Sequence, residues 1–270
     1  MYLRYDSDTL RDRNGDRVTL DPNNPGSISV NALAAGIWQV TNFKILGGNY
    51  GFMIFPAITD NKLEAPILGL VSEADLGLTD TYIQPINLGW HTDRADFITG
   101  LGVYAPTGSY DPDASDNLGL GMWSFEFFAG TTIYFDKAKT WHFATTAYYE
   151  THTEKEDTDI KVGDILTLEG GLGKSFMGGA LSVGIAYYAQ WKVTDDDLGQ
   201  ELEALLGGWK LGKHRGFGVG PEVTIPIATK SKLIGLVTAR YFWETGVRSS
   251  LEGNTFVINV TFPIPSVPIQ

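Results

Sequence analysis

Hydrophobic and polar residues alternate along most of this chain, and the alternation runs longest near its C-terminal end. Across 231–262 the sequence reads SKLIGLVTARYFWETGVRSSLEGNTFVINVTF, two runs joined by a polar turn. In the first run Val237, Ala239, Tyr241 and Trp243 share a face opposite Thr238, Arg240, Phe242 and Glu244. In the second, Phe256, Ile258, Val260 and Phe262 fall opposite Thr255, Val257, Asn259 and Thr261. Each run holds about ten to thirteen residues, against roughly five or six in an ordinary soluble strand. Strands of about ten residues with one apolar face suit a tilted crossing of a bilayer.

Turn signals divide the whole chain into about twelve such runs, near 1–10, 28–42, 48–59, 75–90, 94–106, 118–134, 140–152, 162–175, 179–194, 213–227, 232–245 and 253–262. The connections alternate in character. Those near 43–47, 91–93, 135–139, 176–178 and 228–231 are short. Those near 11–27, 60–74, 107–117, 153–161, 195–212 and 246–252 are mostly longer and richer in Asp, Glu, Asn and Pro. Short turns on one side and long loops on the other predict an all-β, antiparallel, up-and-down transmembrane barrel. The barrel spans 1–262 as one domain with both termini in the periplasm, and 263–270 follow as a Pro-rich periplasmic tail. Aromatic residues gather toward strand ends, with Trp38, Trp90, Phe97, Tyr134, Phe135, Trp141, Phe143 and Phe176 near the short turns. Trp123, Trp191 and Trp243 lie nearer the long loops, as two interfacial belts require.

Composition agrees with a barrel and removes some rivals. No stretch reaches the roughly eighteen apolar residues of a membrane helix, and mean hydropathy is −0.06. Alternating strands average to such a value, so the number leaves a barrel open. The formal net charge of −12 argues against a nucleic-acid partner, which selects a basic stripe. With no cysteine there is neither a disulfide framework nor a thiolate metal site. No signal-peptide pattern precedes the first strand, so the sequence is expected to be a processed or engineered form of an exported protein.

Five segments carry a family resemblance: GLTDTYIQPINLGWH (77–91), TGLGVYAPTGSYDP (99–112), NLGLGMWSFEFFAGTTIYFD (117–136), TDIKVGDILTLEGGLGKSF (158–176) and GVGPEVTIP (218–226). They resemble the outer-membrane channels associated with phenol-degradation pathways, most specifically in APTGSYDP and TDIKVGD. The resemblance spans nearly the whole chain and implies a channel for small hydrophobic, often aromatic, molecules. The chain departs from it at PIPSVPIQ, which follows Phe262.

The expected function is therefore passive uptake of such compounds through a narrow, partly obstructed lumen by a monomer in the bacterial outer membrane. The partners are the solutes and the surrounding lipids. The alternatives are a structural or adhesive barrel, or a weakly cation-selective diffusion pore. No enzyme activity, cofactor or metal is expected. His91, His142, His152 and His214 lack ligand spacing and no serine is paired with them for nucleophilic work. The acidic loop 111–117, DPDASDN, lacks the glycine pattern of a calcium loop.

Parity places Glu126, Glu169, Glu222 and Arg240 on the polar face of their strands, at similar depths, as a constriction belt that Arg4 and Asp80 are expected to join. A short helix is predicted over 196–207, with Leu198, Leu202, Leu205 and Leu206 as one apolar stripe available as a lid. Pro56, Pro85 and Pro221 fall inside wall strands, where a missing ladder donor marks a bulge or a lateral opening.

Overall fold

The computed structural model describes residues 1–18, 26–65, 70–199, 212–229 and 232–263. These form one antiparallel sheet of 16 strands. In chain order the first eight are β1 (Tyr2–Arg11), β2 (Arg17–Val18), β3 (Ser27–Ala34), β4 (Ile37–Ile45), β5 (Gly48–Phe55), β6 (Ala57–Ala65), β7 (Leu70–Leu78) and β8 (Thr81–His91). The rest are β9 (Ala95–Ala105), β10 (Ser124–Tyr134), β11 (Trp141–His152), β12 (Ile165–Phe176), β13 (Leu181–Lys192), β14 (Arg215–Ala228), β15 (Leu233–Arg248) and β16 (Ser250–Thr261).

Sixteen strands replace the twelve expected, and the difference has a local cause. The run 28–42 breaks at Ala35 and Gly36 into β3 and β4, and 48–59 breaks at Pro56 into β5 and β6. The run 75–90 breaks at Thr79 and Asp80 into β7 and β8, and the two-residue β2 pairs with the end of β1. At the first break the backbone of Ile54 and the ring of Phe55 crowd Gly36 so closely that a Cβ there would lie 2.1 Å from Phe55. At the second, proline has no N–H for the ladder. Two expected loops are also corrected. Residues 60–74 are mostly strand, and β15 passes to β16 through Ser249 alone, held at φ 47°. In 60–74 the outward face is charged, with Asp60, Lys62, Glu64 and Glu73, and polar Asn61 and Ser72 lie opposite, so no apolar face marks a strand.

From β8 to β16 each strand pairs with the next, and β16 pairs back with β1. Through the broken region β1 pairs β3, β3 pairs β6, β6 pairs β7, β4 pairs β5 and β5 pairs β8. The C-terminal hairpin brings the two predicted apolar faces together. Tyr241 opposes Phe256, Ala239 opposes Ile258 and Val237 opposes Val260, so the two apolar faces coincide.

Burial separates the two faces of the wall. Phe125 and Phe127 are 41% and 53% exposed, whereas Glu126 and Phe128 are 6% and 4% exposed. On this strand an acid is buried between two exposed phenylalanines, the reverse of a water-soluble sheet. On one flank the outer face turns polar. Tyr2 Oη donates to Asn31 Oδ1 at 2.9 Å, and Asn31 Nδ2 donates to Asp60 Oδ1 at 2.8 Å. Arg4 pairs with Asp6 at 2.7 Å and Lys62 with Glu64 at 2.9 Å. Asp60 and Lys62 stand about 30–35 Å above the β4–β5 turn along a tilted strand, beyond the ~25 Å apolar band of a membrane wall. This flank rises past the band.

Candidate functional site

The inner face is organised by one arrangement used three times: a tyrosine lies flat across a glycine of the neighbouring strand and reaches a glutamate two strands away. Tyr82 of β8 crosses Gly102 of β9 and donates to Glu126 of β10. Tyr188 of β13 crosses Gly218 of β14 and donates to Glu244 of β15. Tyr5 of β1 passes Gly253 of β16 and donates to the same Glu244 at 3.3 Å, and the Gly253 N–H adds a bond of 2.7 Å. The glycines are necessary because a Cβ at Gly102 would lie 2.4 Å from Tyr82 Oη, and one at Gly218 would lie 2.1 Å from the Tyr188 ring. A phenol bound to a carboxylate satisfies a charge that the wall has withdrawn from bulk water.

The expected acids meet on this face. Glu222 opposes Arg240 in register and is ion-paired with it. Glu169 stands between Thr146 and Tyr188 in register. These residues and Glu126 lie six to eight residues above the short-turn ends of their strands, about 15–20 Å for a tilted strand. Two further acids join them. Glu150 opposes Glu126 directly, and Glu244 is the hub of two tyrosine bonds. Glu244 was legible as the residue four beyond Arg240 on one strand face. Glu150 was obscured by the acidic loop that follows it. Aromatic pairs fill the spaces, with ring centroids 4.6 Å apart for Tyr82–Tyr104, 5.9 Å for Phe128–Tyr148 and 5.3 Å for Tyr188–Phe242.

Arg4 and Asp80 depart from the expected belt. Arg4 pairs in register with Phe256 and so lies on the outer face, where it is bonded to Asp6. Two-residue periodicity alone could not decide its face, because polar residues occupy both sides of β1. Asp80 is buried at the β7–β8 break and accepts N–H bonds from Gly108 at 3.1 Å and Leu120 at 2.9 Å. It ties down the connection between β9 and β10 rather than facing a passage. Ser72 and Thr79 reinforce it by donating to the carbonyls of Ser115 and Leu118, each at 2.7 Å.

A serine–histidine contact was missed. Ser124 Oγ lies 2.9 Å from His152 Nδ1, both side chains are buried, and Glu150 stands 3.5 Å from the same nitrogen. A relay needs the acid and the nucleophile on opposite ring nitrogens. Here both meet Nδ1, while Nε2 has no partner among the described residues. The pair packs the inner wall beneath the rim.

Residues 7–260 match the family described as "Putative MetA-pathway of phenol degradation". The chain belongs to that family. The solved COG4313 outer membrane channel from Pseudomonas putida F1 is similar over 96% of this chain and 93% of that one, with TM-score 0.76 and 12% identity. The β domain of the Bordetella autotransporter BrkA covers 97% of this chain and 98% of its own at TM-score 0.48 and 13% identity. A search of curated proteins gives no match. With its exposed apolar band, the chain is a β-barrel of the bacterial outer membrane with the fold of an outer-membrane channel.

The remaining predicted features can be placed in that barrel. Pro56 forms the β5–β6 break, Pro85 sits where the β8–β9 register shifts between Ile83 and Ile86, and Pro221 lies inside β14 where the register runs through, the β14–β15 shifts falling at Arg215/Phe217 and Ile227/Ala228. Most of the 196–207 helix, with Leu202, Leu205 and Leu206, lies outside the described residues, and Leu198 is half-buried at their margin. Asp196, at the start of the predicted helix, accepts the Gly163 N–H at 2.8 Å and pairs with Lys192 at 2.6 Å. Burial pushes its pKa up, but those two donors outweigh it and hold the carboxyl below its ordinary range. Burial holds His214, just before β14, below the usual imidazole value. In the 111–117 loop Asp111 Oδ1 accepts the Asp113 N–H at 2.9 Å and Asn117 bridges back to Asp111, so the loop closes on itself. Among the described residues no three His, Asp or Glu side chains converge as a metal site.

Proposed function

We propose that this protein is a passive channel that admits small hydrophobic or aromatic compounds across the outer membrane as a monomer. The observation that carries this reading is the inner face itself, where aromatic pairs alternate with carboxylates that are mostly bonded to the wall. Such a lining offers apolar surface to a solute while leaving few free charges to trap it. The pairing of every run with the next, and of β16 with β1, supports a closed wall of about twelve crossings. That number lies between small filled barrels of about eight strands and open porins of about sixteen, so the passage is narrow. No nucleotide or coupling motif is needed when the solute gradient drives movement. The acid excess over Arg240 supports a weak preference for cations.

Sideways exit is the finer route favoured by Pro85. An outer cavity of about 500 Å³ adjoins its register shift, lined by Ile86, Leu88, Leu101, Phe127, Tyr149 and Leu166 among others. A molecule leaving there would enter the apolar band directly. The test is flux of benzyl alcohol and of glucose into liposomes bearing the purified protein, alongside salt conductance in a planar bilayer. Faster benzyl alcohol entry than in protein-free liposomes, with little glucose entry, is expected. Negligible conductance and no added flux would instead favour a structural or adhesive barrel.

A further inference from the structure

The inner carboxylates are not equivalent. Glu222 has Arg240, Glu126 has Tyr82, and Glu244 has two tyrosines and a backbone N–H. Glu150 stands beside His152. Glu169 has neither a hydrogen bond nor an ion pair among the described residues, and it is exposed on the inner face. Its in-register neighbour Tyr188 turns its hydroxyl to Glu244, so the phenol that could cap Glu169 is already committed elsewhere.

The side chains beside that acceptor on β11 and β13 are aromatic, and the charge of Arg240, paired with Glu222, also reaches it. Tyr148 lies diagonally from it on β11 and stacks in a tilted pair with Phe128, and Tyr188 meets Phe242 edge-on on the other side. A carboxylate between π faces favours one chemistry above others. A protonated amine gains the charge of Glu169 and the negative faces of the rings together. A neutral hydroxyl gains one hydrogen bond, and a carboxylate solute meets repulsion from inner acids that outnumber Arg240.

We infer that Glu169, flanked by Tyr148 and Tyr188, forms a subsite for small organic ammonium ions carried on an aromatic or apolar body. The inference rests on the channel reading for access along the passage, and it extends that reading from hydrophobic solutes to cationic amphiphiles.

The test uses the purified full chain and three probes of similar body: benzylammonium, benzyl alcohol and benzoate. In a planar bilayer, benzylammonium should block salt current at a concentration about tenfold below that of benzyl alcohol, with benzoate weakest. Glu169→Gln should erase the advantage of benzylammonium and leave block by benzyl alcohol unchanged. Glu169→Asp, which keeps the charge, should preserve the order and controls for folding. Calorimetric binding of benzylammonium to the detergent-solubilised protein gives a readout that does not need conduction. Equal action of benzylammonium and benzyl alcohol, or no change on Glu169→Gln, overturns the subsite. Calorimetric binding that depends on Glu169, with neither salt current nor added benzyl alcohol flux, would uphold the subsite and overturn the channel.

Discussion

Replacing Gly218 with alanine should test whether the tyrosine clamps hold the inner wall together. An alanine Cβ at that position would lie 2.1 Å from Tyr188 Cε1 and 2.5 Å from Cζ. Carbon atoms rest near 3.5–4.0 Å, so the ring must swing away by more than ~1 Å and its hydroxyl leaves Glu244. Loss of a hydrogen bond to a charged group costs about 1.5–3 kcal/mol. Loss of the edge contact between Tyr188 and Phe242 adds ~0.5–1.5 kcal/mol. Two effects reduce the sum. Glu244 keeps Tyr5 and the Gly253 N–H, and alanine lowers the entropy of the unfolded chain by ~0.4–1 kcal/mol relative to glycine. The expected net destabilisation is about 2 kcal/mol, read as a shift in the urea midpoint of the barrel refolded in phospholipid vesicles. The decisive comparison is the same substitution in a Tyr188→Ala background, where the obstructing ring is gone. There it should cost less than ~0.5 kcal/mol, giving a coupling of about 1.5–2 kcal/mol. An equal cost in both backgrounds would refute the clamp and leave only a generic penalty for a side chain on β14.

Four other outcomes follow from the same geometry. Arg240→Leu should cost about 1–3 kcal/mol by leaving Glu222 unpaired, and adding Glu222→Gln should recover much of it; Arg4→Leu, at an exposed pair, should stay within about 1 kcal/mol in the same urea assay. Asp80→Asn should weaken the anchoring of 108–120 and raise its cleavage by added protease, with unaltered cleavage rates counting against that anchor. The depressed carboxyl of Asp196 contributes stability that is full above its unfolded value near ~4 and is lost as pH falls through the folded value. Hydrogen exchange at the Gly163 amide should therefore accelerate on acidification below about pH 4, and Asp196→Asn should flatten that dependence. Epitope tags inserted at Asp113 or Glu156 should be reached by antibody on intact cells while one at Lys137 should not; the opposite pattern would invert the assigned orientation.

Much of the wall was legible because a sheet with lipid on one side obeys a two-residue rule over long distances. Alternation assigned Val237, Ala239 and Tyr241 to one apolar face and Phe256, Ile258 and Val260 to another, and the structure pairs the two faces. The same rule placed Glu126, Glu169, Glu222 and Arg240 on one face. It failed where both faces are polar. On β1, β3 and β6 the wall outgrows the apolar band, and outward Asp60 and Lys62 looked like loop residues. Arg4 was misplaced on that flank for the same reason. Contacts across strands were illegible for another cause: Tyr82 and Glu126 are separated by forty-four residues of chain. Only the register of three strands brings them together. Asp80 belongs to this class as well, since its two donors come from the far ends of one connection.

The glycines explain why the inner face can be both acidic and stable. A carboxylate facing inward needs a donor, and the nearest strand offers only a side chain whose reach is blocked by the wall's own Cβ atoms. Removing one Cβ, at Gly102, Gly218 or Gly253, opens a flat track along which a phenol reaches across to a glutamate on the next strand but one. Each ring then lies along the wall instead of projecting into the middle. Electrostatic satisfaction and a ring held against the wall therefore come from the same glycine, and adding a side chain there should disturb both together. Glu169 lies outside this scheme, because its neighbouring tyrosine is spent on Glu244. Among the described residues Glu169 is thus left without a hydrogen bond by the same geometry that satisfies Glu126 and Glu244, and this open acceptor is the one the inferred ammonium subsite uses.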